Sequence, residues 1–284
     1  MPIADRLSDP SAPPAAGNNR STWGMQAPAL VASRPVRDQV SDAEWQTRVD
    51  LAAAYRLMDV YGMTDMIYNH ITARVPDAPG EFLINAYGFH YSEITASNLH
   101  KIDHEGNFTL RADTHYGINF PGFVIHGAVH QARPDVHCVI HSHTRAGVAV
   151  SAMAGGLLPL SLLSMRFHGH LGYHDCEGVV VDLDERKTLV RDLDGHDAMI
   201  LRNHGLLACG TSIAEAFNTH YMLEQACKIQ VDVMGGGATP VLPPESVVAE
   251  TARQFEPGVR RAYGVMEWEA LRRLLDRRDA SYQD

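Results

Sequence analysis

The chain has 284 residues, of which 45% are hydrophobic and 20% are charged, as is ordinary for a folded protein with a substantial core. Its formal net charge of -10 at pH 7 and the lack of a dense Lys/Arg run argue against nucleic acids and anionic membranes as partners. No apolar run approaches the ~18 residues that a membrane-spanning helix needs, so small molecules and further copies of this chain are the expected partners.

The cysteines and the N-terminus predict a cytoplasmic protein. Four cysteines contain no C-x-x-C pair, which is the usage expected in a reducing compartment. The first residues lack the apolar segment of a signal peptide. Histidine is the unusual residue, with 16 copies, many of them between His100 and His174.

The N-terminal region differs in composition from the rest of the chain. Residues 1–38 are rich in Pro, Ala, Gly and Ser without apolar periodicity, which predicts a flexible extension. Ser41 and Glu44 have the spacing of a helix capping box, and apolar residues then recur at helical spacing up to Gly62. Regular structure is therefore expected to begin near residue 40.

Helical and strand-like patterns alternate through the remaining sequence. Strands are predicted at 67–75, 81–85 and 138–143, with a hairpin about 104–107 and two strand-like runs in 198–209 broken at His204-Gly205. Helices are predicted at 121–132, 144–153, 184–194, 212–234 and in the C-terminal segment up to 277. Residues 159–173 show no clear pattern, which is typical of a functional or mobile loop. The alternation predicts one α/β domain over residues 39–284.

The segment Cys138–His143 carries the main chemical feature. It is an apolar run that ends in His141 and His143, and in a strand these two side chains leave the same face. Two imidazoles on one face can bind one metal ion, although a bare pair of this kind is more often one packed and one solvated histidine. A second apolar run ends at His204, which makes His204 a candidate third ligand from a neighbouring strand.

Several short motifs, taken together, resemble the class II aldolase/adducin superfamily. They are Asn69-His70-Ile71, the segments 93–99 and 132–135, His141-Ser142-His143, the segment 202–206 and Trp268-Glu269-Ala270-Leu271. The resemblance covers residues 45–280. It implies a three-layer α/β/α sandwich around a mostly antiparallel sheet, assembled as a homotetramer. It also implies one divalent cation, zinc in first place and Fe(II) or Mn as alternatives, held by His141, His143 and His204.

This chain departs from the sugar-phosphate aldolases of that family at the start of the predicted helix 121–132. Where those enzymes carry an acid/base glutamate, this chain has Gly122, and where they carry a phosphate-binding Ser-Ser pair, it has Phe120-Pro121. A sugar-phosphate substrate is therefore not expected. Glycine in place of the glutamate is similar to the adducin-type branch, which also contains decarboxylases and non-haem iron oxygenases.

Four further residues are candidates for the site. His126 lies in the helix before the histidine strand and is a candidate proton carrier in place of the glutamate, with an interior hydrogen-bonded histidine as the alternative. Tyr263 resembles the tyrosine that aldolases send into a neighbouring subunit, with packing as the alternative. Asn69 and His168 are the candidate substrate-binding residues, the first from its motif and the second from its place in the unpatterned loop.

The favoured function is a metal-dependent lyase that acts on a non-phosphorylated carbonyl or carboxylate compound by retro-aldol cleavage or decarboxylation. An Fe(II) oxygenase on the same scaffold and a non-catalytic adducin-like interaction domain are the two alternatives. The identity of the metal separates the first two, and a site that binds no metal is expected for the third. The sequence does not identify the substrate.

Overall fold

The computed structural model describes residues 34–178, 185–237, 239–256, 258–259 and 261–284. Nearly all of the predicted extension, residues 1–33, lies outside the described residues, and the start of the predicted helix 184–194 does so as well. The helices are α1 Asp42–Val60, α2 Phe120–Ala132, α3 Arg145–Ser151, α4 Leu162–Met165, α5 Glu185–Leu193, α6 Ile213–Gly235, α7 Glu245–Arg253 and α8 Val265–Arg278. The strands are β1 His70–Val75, β2 Ala78–Asn85, β3 Leu99–Asp103, β4 Phe108–Leu110, β5 Cys138–Ser142, β6 Gly172–His174, β7 Ala198–Leu201 and β8 Gly205–Gly210.

The strands of the described residues form one sheet in the order β4-β3-β2-β1-β5-β8-β7-β6. Every neighbouring pair is antiparallel except β6 and β7, which are parallel. The central position belongs to β1, β5 and β8, whose residues are almost all buried. The predicted, mostly antiparallel sheet is confirmed.

Side-chain alternation along β5 separates the two outer layers. Cys138 and Ile140 pack into a core shared with α1, α6 and α8, whereas Val139 faces the opposite core, shared with α2 and α5. By the same alternation His141 belongs to the α2 face and Ser142 to the α6 face, where its hydroxyl lies 2.9 Å from His220 Nε2. The three-layer α/β/α sandwich is thus confirmed, and the histidine strand runs through its centre.

Local sequence patterns predict most of the element boundaries correctly. The Ser41 hydroxyl accepts a hydrogen bond from the Glu44 amide, as expected of the N-cap of α1. The reciprocal half of the predicted capping box is wrong, because the Glu44 carboxylate instead pairs with Arg48, which is fully buried, and with Lys101, each at 2.9 Å. A buried guanidinium requires a carboxylate partner, and that demand outweighs the bond to the cap.

The stretch 159–173, expected to be an irregular loop, contains more structure than predicted. It holds α4, whose cap is Ser161, and it leads into β6 at the edge of the sheet. An element of three or four residues is too short to show a helical or strand period, so periodicity cannot reveal it. Within the described ranges, no helix combines the length and the apolar character needed to cross a membrane.

Acid sensitivity of folding is predicted from His100, which is fully buried in β3. Its Nδ1 accepts a hydrogen bond from the Ala112 amide and its Nε2–H donates to the Tyr116 carbonyl. The bond from Ala112 requires an unprotonated Nδ1 and therefore the neutral ring. Burial lowers the pKa of His100 to about 4. Between pH 6.5 and pH 4 the unfolded chain therefore binds a proton that the folded chain does not, and the free energy of unfolding falls as the pH falls.

When the pH falls from 7 to 5, we expect the free energy of unfolding of the wild type to decrease by about 2 kcal/mol more than that of His100→Gln. Urea denaturation of the wild type and the variant at both pH values measures this difference. His115→Gln, which removes an exposed imidazole from the adjoining segment, is the matched control. Equal pH dependence of the wild type and His100→Gln would contradict the prediction.

Candidate metal centre

Three histidines converge where β5 ends beside the turn between β7 and β8. Strand pairing places His141 opposite Leu207, so the turn that precedes β8 lies next to the end of β5. In that turn Asn203 has φ 57°, a left-handed conformation that asparagine tolerates well, and His204 follows it. The Nε2 atom of His143 is 2.8 Å from that of His141 and 3.0 Å from that of His204.

Gly205 allows this close approach. A Cβ atom at Gly205 would lie 2.2 Å from the carbonyl oxygen of Ser142, which is far inside van der Waals contact. Only glycine lets the two backbones come this close. The predicted break at His204-Gly205 is therefore a steric requirement of the β5–β8 pairing, and it brings His204 to the end of β5.

Hydrogen bonds to the outer ring nitrogens orient two of the imidazoles. His141 Nδ1 lies 2.9 Å from the Leu206 carbonyl oxygen, and His143 Nδ1 lies 3.2 Å from Asp65 Oδ2. Both oxygens accept, so each Nδ1 carries the hydrogen and each Nε2 directs a lone pair towards the other rings. Outer partners of this kind are typical of histidines that bind metals. Asp65 was not among the residues predicted from the sequence.

The protonation state of the group suits a cation. Burial, together with the neighbouring rings, lowers the pKa of His141 well below its ordinary range, and burial lowers the pKa of His204 to about 4. Lone pairs of neutral imidazoles repel each other at 2.8 Å unless a cation lies between them. In a tetrahedral zinc site with Zn–N distances of ~2.0–2.1 Å the nitrogen ligands lie roughly 3.3 Å apart. The two separations from His143 Nε2, 2.8 and 3.0 Å, are close to this value. The three side chains thus fit one divalent metal ion.

Comparison with known proteins places this fold and this cluster in a family. The family model described as Class II Aldolase and Adducin N-terminal domain matches residues 49–231. The chain belongs to the class II aldolase and adducin family. A protein of Pseudomonas aeruginosa, named only by its class as an aldolase class 2 protein, is 46% identical over 252 residues, which cover 87% of this chain and 96% of that protein.

The other relatives include an adducin and two solved structures of aldolase type. Rat alpha-adducin is 41% identical over 241 residues, which cover 81% of this chain but only 33% of the adducin. The crystal structure of an aldolase II superfamily protein from Pseudomonas syringae shares 47% identity and superimposes with a TM-score of 0.82, covering 88% of this chain and 99% of that one. An L-fuculose 1-phosphate aldolase from Glaciozyma antarctica, 24% identical with a TM-score of 0.75 over 90% of this chain and 97% of its own, shares the fold.

His70 fills the space beside Gly122, the position to which the family resemblance assigns the aldolase glutamate. A Cβ atom at Gly122 would lie 2.3 Å from His70 Cδ2 and 2.6 Å from His70 Nε2. His70 itself is paired with His141 across β1 and β5, and the centroids of the two rings are 5.1 Å apart. The missing carboxylate is therefore replaced in space by an imidazole from a different element, which sequence reasoning did not single out.

His126 lies behind His70 rather than among the three converging histidines. Its Nε2 is 2.9 Å from His70 Nδ1, and its Nδ1 is 2.8 Å from the Thr72 hydroxyl. The same hydroxyl is 2.8 Å from His130 Nε2, which continues the chain of polar contacts beneath α2. Burial lowers the pKa of His126 well below its ordinary range and that of His70 to about 3. Any role of His126 as a proton carrier must pass through His70.

The remaining predicted residues occupy three different places. Asn69 is buried beside the centre, with Nδ2 3.5 Å from the His141 carbonyl oxygen. His168 lies on the surface and pairs with Glu245 at 3.0 Å, and Tyr263 lines a cavity that contains none of the three converging histidines. The structure thus brings Asn69, but not His168 or Tyr263, to the histidine cluster of the same chain.

We expect Gly122→Ala to lower the free energy of unfolding by about 1–3 kcal/mol, because the new methyl group must displace the His70 ring. In a His70→Ala background Gly122→Ala should cost less, because the ring is absent. The decrease in the free energy of unfolding should be smaller by at least ~1 kcal/mol than in the wild-type background. Urea denaturation of the four proteins of this cycle measures the coupling.

Gly127→Ala is the matched control, because it lies on the same helix and its Cβ atom would meet only ordinary contacts, the nearest at 3.6 Å. Additive effects of Gly122→Ala and His70→Ala would show that the two positions do not share one space.

Proposed function

We propose that this protein is a divalent-metal-dependent lyase that cleaves a C–C bond, by retro-aldol or decarboxylation chemistry, in a non-phosphorylated carbonyl or carboxylate compound. The observation that carries the proposal is the convergence of the Nε2 atoms of three histidines, with His141 and His143 oriented from behind by a carbonyl and a carboxylate. A divalent cation bound there would supply Lewis-acid stabilisation of negative charge developing on a substrate oxygen. Membership of the class II aldolase and adducin family supports a lyase.

His70 is the proposed partner of the substrate in proton exchange. It occupies the space beside Gly122, it lies next to His141, and His126 holds its ring through Nδ1. His70 Nδ1 is occupied by His126, so Nε2 is the nitrogen proposed to meet a substrate group. Asn69 and, through His70, His126 are proposed to complete the site.

The start of α2 supports a substrate without a phosphate group. Pro121 has no amide hydrogen, and the Phe120 side chain packs against the apolar core that contains Phe123. Neither side chain offers a hydroxyl like those of the Ser-Ser pair that binds phosphate in the aldolases that this chain resembles. A non-phosphorylated substrate is therefore proposed.

Zinc is the proposed metal, because three neutral imidazoles with room for further ligands suit zinc well and ferrous iron acceptably. An Fe(II) oxygenase is accordingly the alternative reaction on the same residues. A homotetramer, with Tyr263 acting at a neighbouring subunit's site, stays a prediction from the family resemblance. His168 stays a candidate substrate-binding residue from its place in the stretch 159–173. An adducin-like module without catalysis is the third hypothesis, since alpha-adducin is among the relatives.

We expect the wild-type protein, purified without added metal or chelator, to contain one divalent metal ion per chain by elemental analysis. His204→Ala should abolish this binding, because it removes one of three ligand atoms. Asp65→Asn should weaken the affinity by about 10–100-fold, because it alters the partner of His143 Nδ1 and keeps the ligand itself. His115→Ala removes an exposed histidine far along the chain from these ligands and serves as the control.

The identity of the bound metal and its reactivity decide between the three hypotheses. Stoichiometric zinc or manganese with C–C cleavage supports the lyase, and iron with oxygen uptake supports the oxygenase. If neither the purified nor the reconstituted wild type binds metal, both enzymatic hypotheses are wrong and the non-catalytic module remains. Unchanged metal content in His204→Ala would refute the assignment of the three histidines.

A further inference from the structure

A second site lies at the opposite end of the hairpin that carries His204. A cavity of about 590 Å³ is lined by residues at the open end of β7 and β8, including Asp197 and Cys209, and by residues of the segments 166–170 and 252–263. Because β7 spans four residues at ~3.3 Å each, the cavity is roughly 13 Å from the His204 turn. Its volume is that of a small-molecule pocket.

Arg166 supplies a positive charge to this cavity. The guanidinium is mostly buried, and two of its nitrogens donate to Asn218 Oδ1 at 2.8 Å and to Thr219 Oγ1 at 3.1 Å. Both acceptors are neutral, and within the described ranges no carboxylate lies at ion-pair distance from Arg166. A buried guanidinium without an acidic partner is costly, and burial accordingly lowers the pKa of Arg166.

The acidic groups that line the cavity already have other partners. Asp197 pairs with Arg133 at 3.3 Å, and Glu215 accepts a hydrogen bond from the Thr211 hydroxyl. Glu256 lies 3.8 Å from His170. Among the lining residues that the structure describes, the second arginine, Arg261, is paired with Glu267, so Arg166 is the cation that an incoming anion would neutralise.

Aromatic rings surround the guanidinium. The Cζ atom of Arg166 lies 5.2 Å from the ring centroid of Tyr263, 5.8 Å from that of Phe255 and 5.7 Å from that of Phe167. The rings of Phe255 and Tyr263 are themselves 5.3 Å apart and inclined by 31°. Flat apolar walls next to an arginine suit a ligand that has a planar body and one anionic end.

We propose that this cavity binds a small aromatic monocarboxylate, whose carboxylate pairs with Arg166 and whose ring packs against Phe255 and Tyr263. The site uses the unpatterned stretch 159–173 and Tyr263, neither of which reaches the histidine cluster of its own chain. It goes beyond the lyase function and does not depend on the metal, so either can fail without the other.

Titration calorimetry of the full chain with benzoate tests this assignment. Wild type should bind benzoate, and Arg166→Gln should weaken binding at least tenfold, because a charge-assisted hydrogen bond contributes roughly 1.5–3 kcal/mol and tenfold corresponds to 1.4 kcal/mol. Arg166→Lys, which keeps the charge and loses the planar fork, should fall between the two. Arg253→Gln, at an exposed arginine of α7, should bind as the wild type does.

Two further measurements test whether benzoate binds in this cavity and whether its ring contributes to the affinity. His204→Ala should retain benzoate binding, since loss there would place the ligand at the histidine cluster and overturn the proposal. Inorganic phosphate should bind more weakly than benzoate, because it has no ring. Equal affinity for the two anions would refute the proposed packing of an aromatic ring against Phe255 and Tyr263.

Phe255→Leu keeps Arg166 intact and should also weaken benzoate binding, so the proposal remains testable if Arg166→Gln fails to fold. Absence of benzoate binding to the wild type, or equal binding by wild type, Arg166→Gln and Phe255→Leu, would refute the site.

Discussion

The close approach of β5 and β8 at Gly205 is the constraint on which the histidine cluster depends. The Ser142 carbonyl occupies the space that a side chain at residue 205 would need. This contact sets the register in which the Leu206 carbonyl reaches His141 Nδ1 and the preceding turn delivers His204. One backbone contact thus determines the position of one candidate ligand and the orientation of another.

A second close contact, between Gly122 and the His70 ring, places an imidazole beside the histidine cluster. Antiparallel pairing of β1 and β5 puts His70 beside His141 on the face covered by α2. The helix can approach that ring only because residue 122 has no side chain. The absence of a side chain at residue 122 and the presence of the His70 imidazole beside it therefore belong to one packing arrangement. His126, Thr72 and His130 extend this arrangement beneath the helix.

The β7–β8 hairpin separates two chemically different regions. Its turn contributes to a group of neutral imidazoles suited to a cation, while its open end borders a cavity in which Arg166 is suited to an anion. About 13 Å of buried strand lies between them, since β7 spans four residues. One hairpin thus places two different kinds of ligand site at its opposite ends.

The sequence by itself determined the features that depend on neighbouring residues. Period-two alternation placed His141 and His143 on one face, and the Ser41 cap located the start of α1. The family motifs gave the sandwich fold and His204 as the third member of the cluster. Alternation also put the apolar residues of β1 on odd positions, which leaves His70 facing away from them.

Only the tertiary structure decided which distant elements meet. That His70 fills the space beside Gly122, that Asp65 holds His143, and that Tyr263 and Arg166 share a cavity all depend on strand register and helix packing between segments far apart in the chain. Periodicity and capping act over a few residues, so they carry no information about such pairings. The position of His168 likewise follows from tertiary packing, because its partner Glu245 comes from a helix more than 70 residues away.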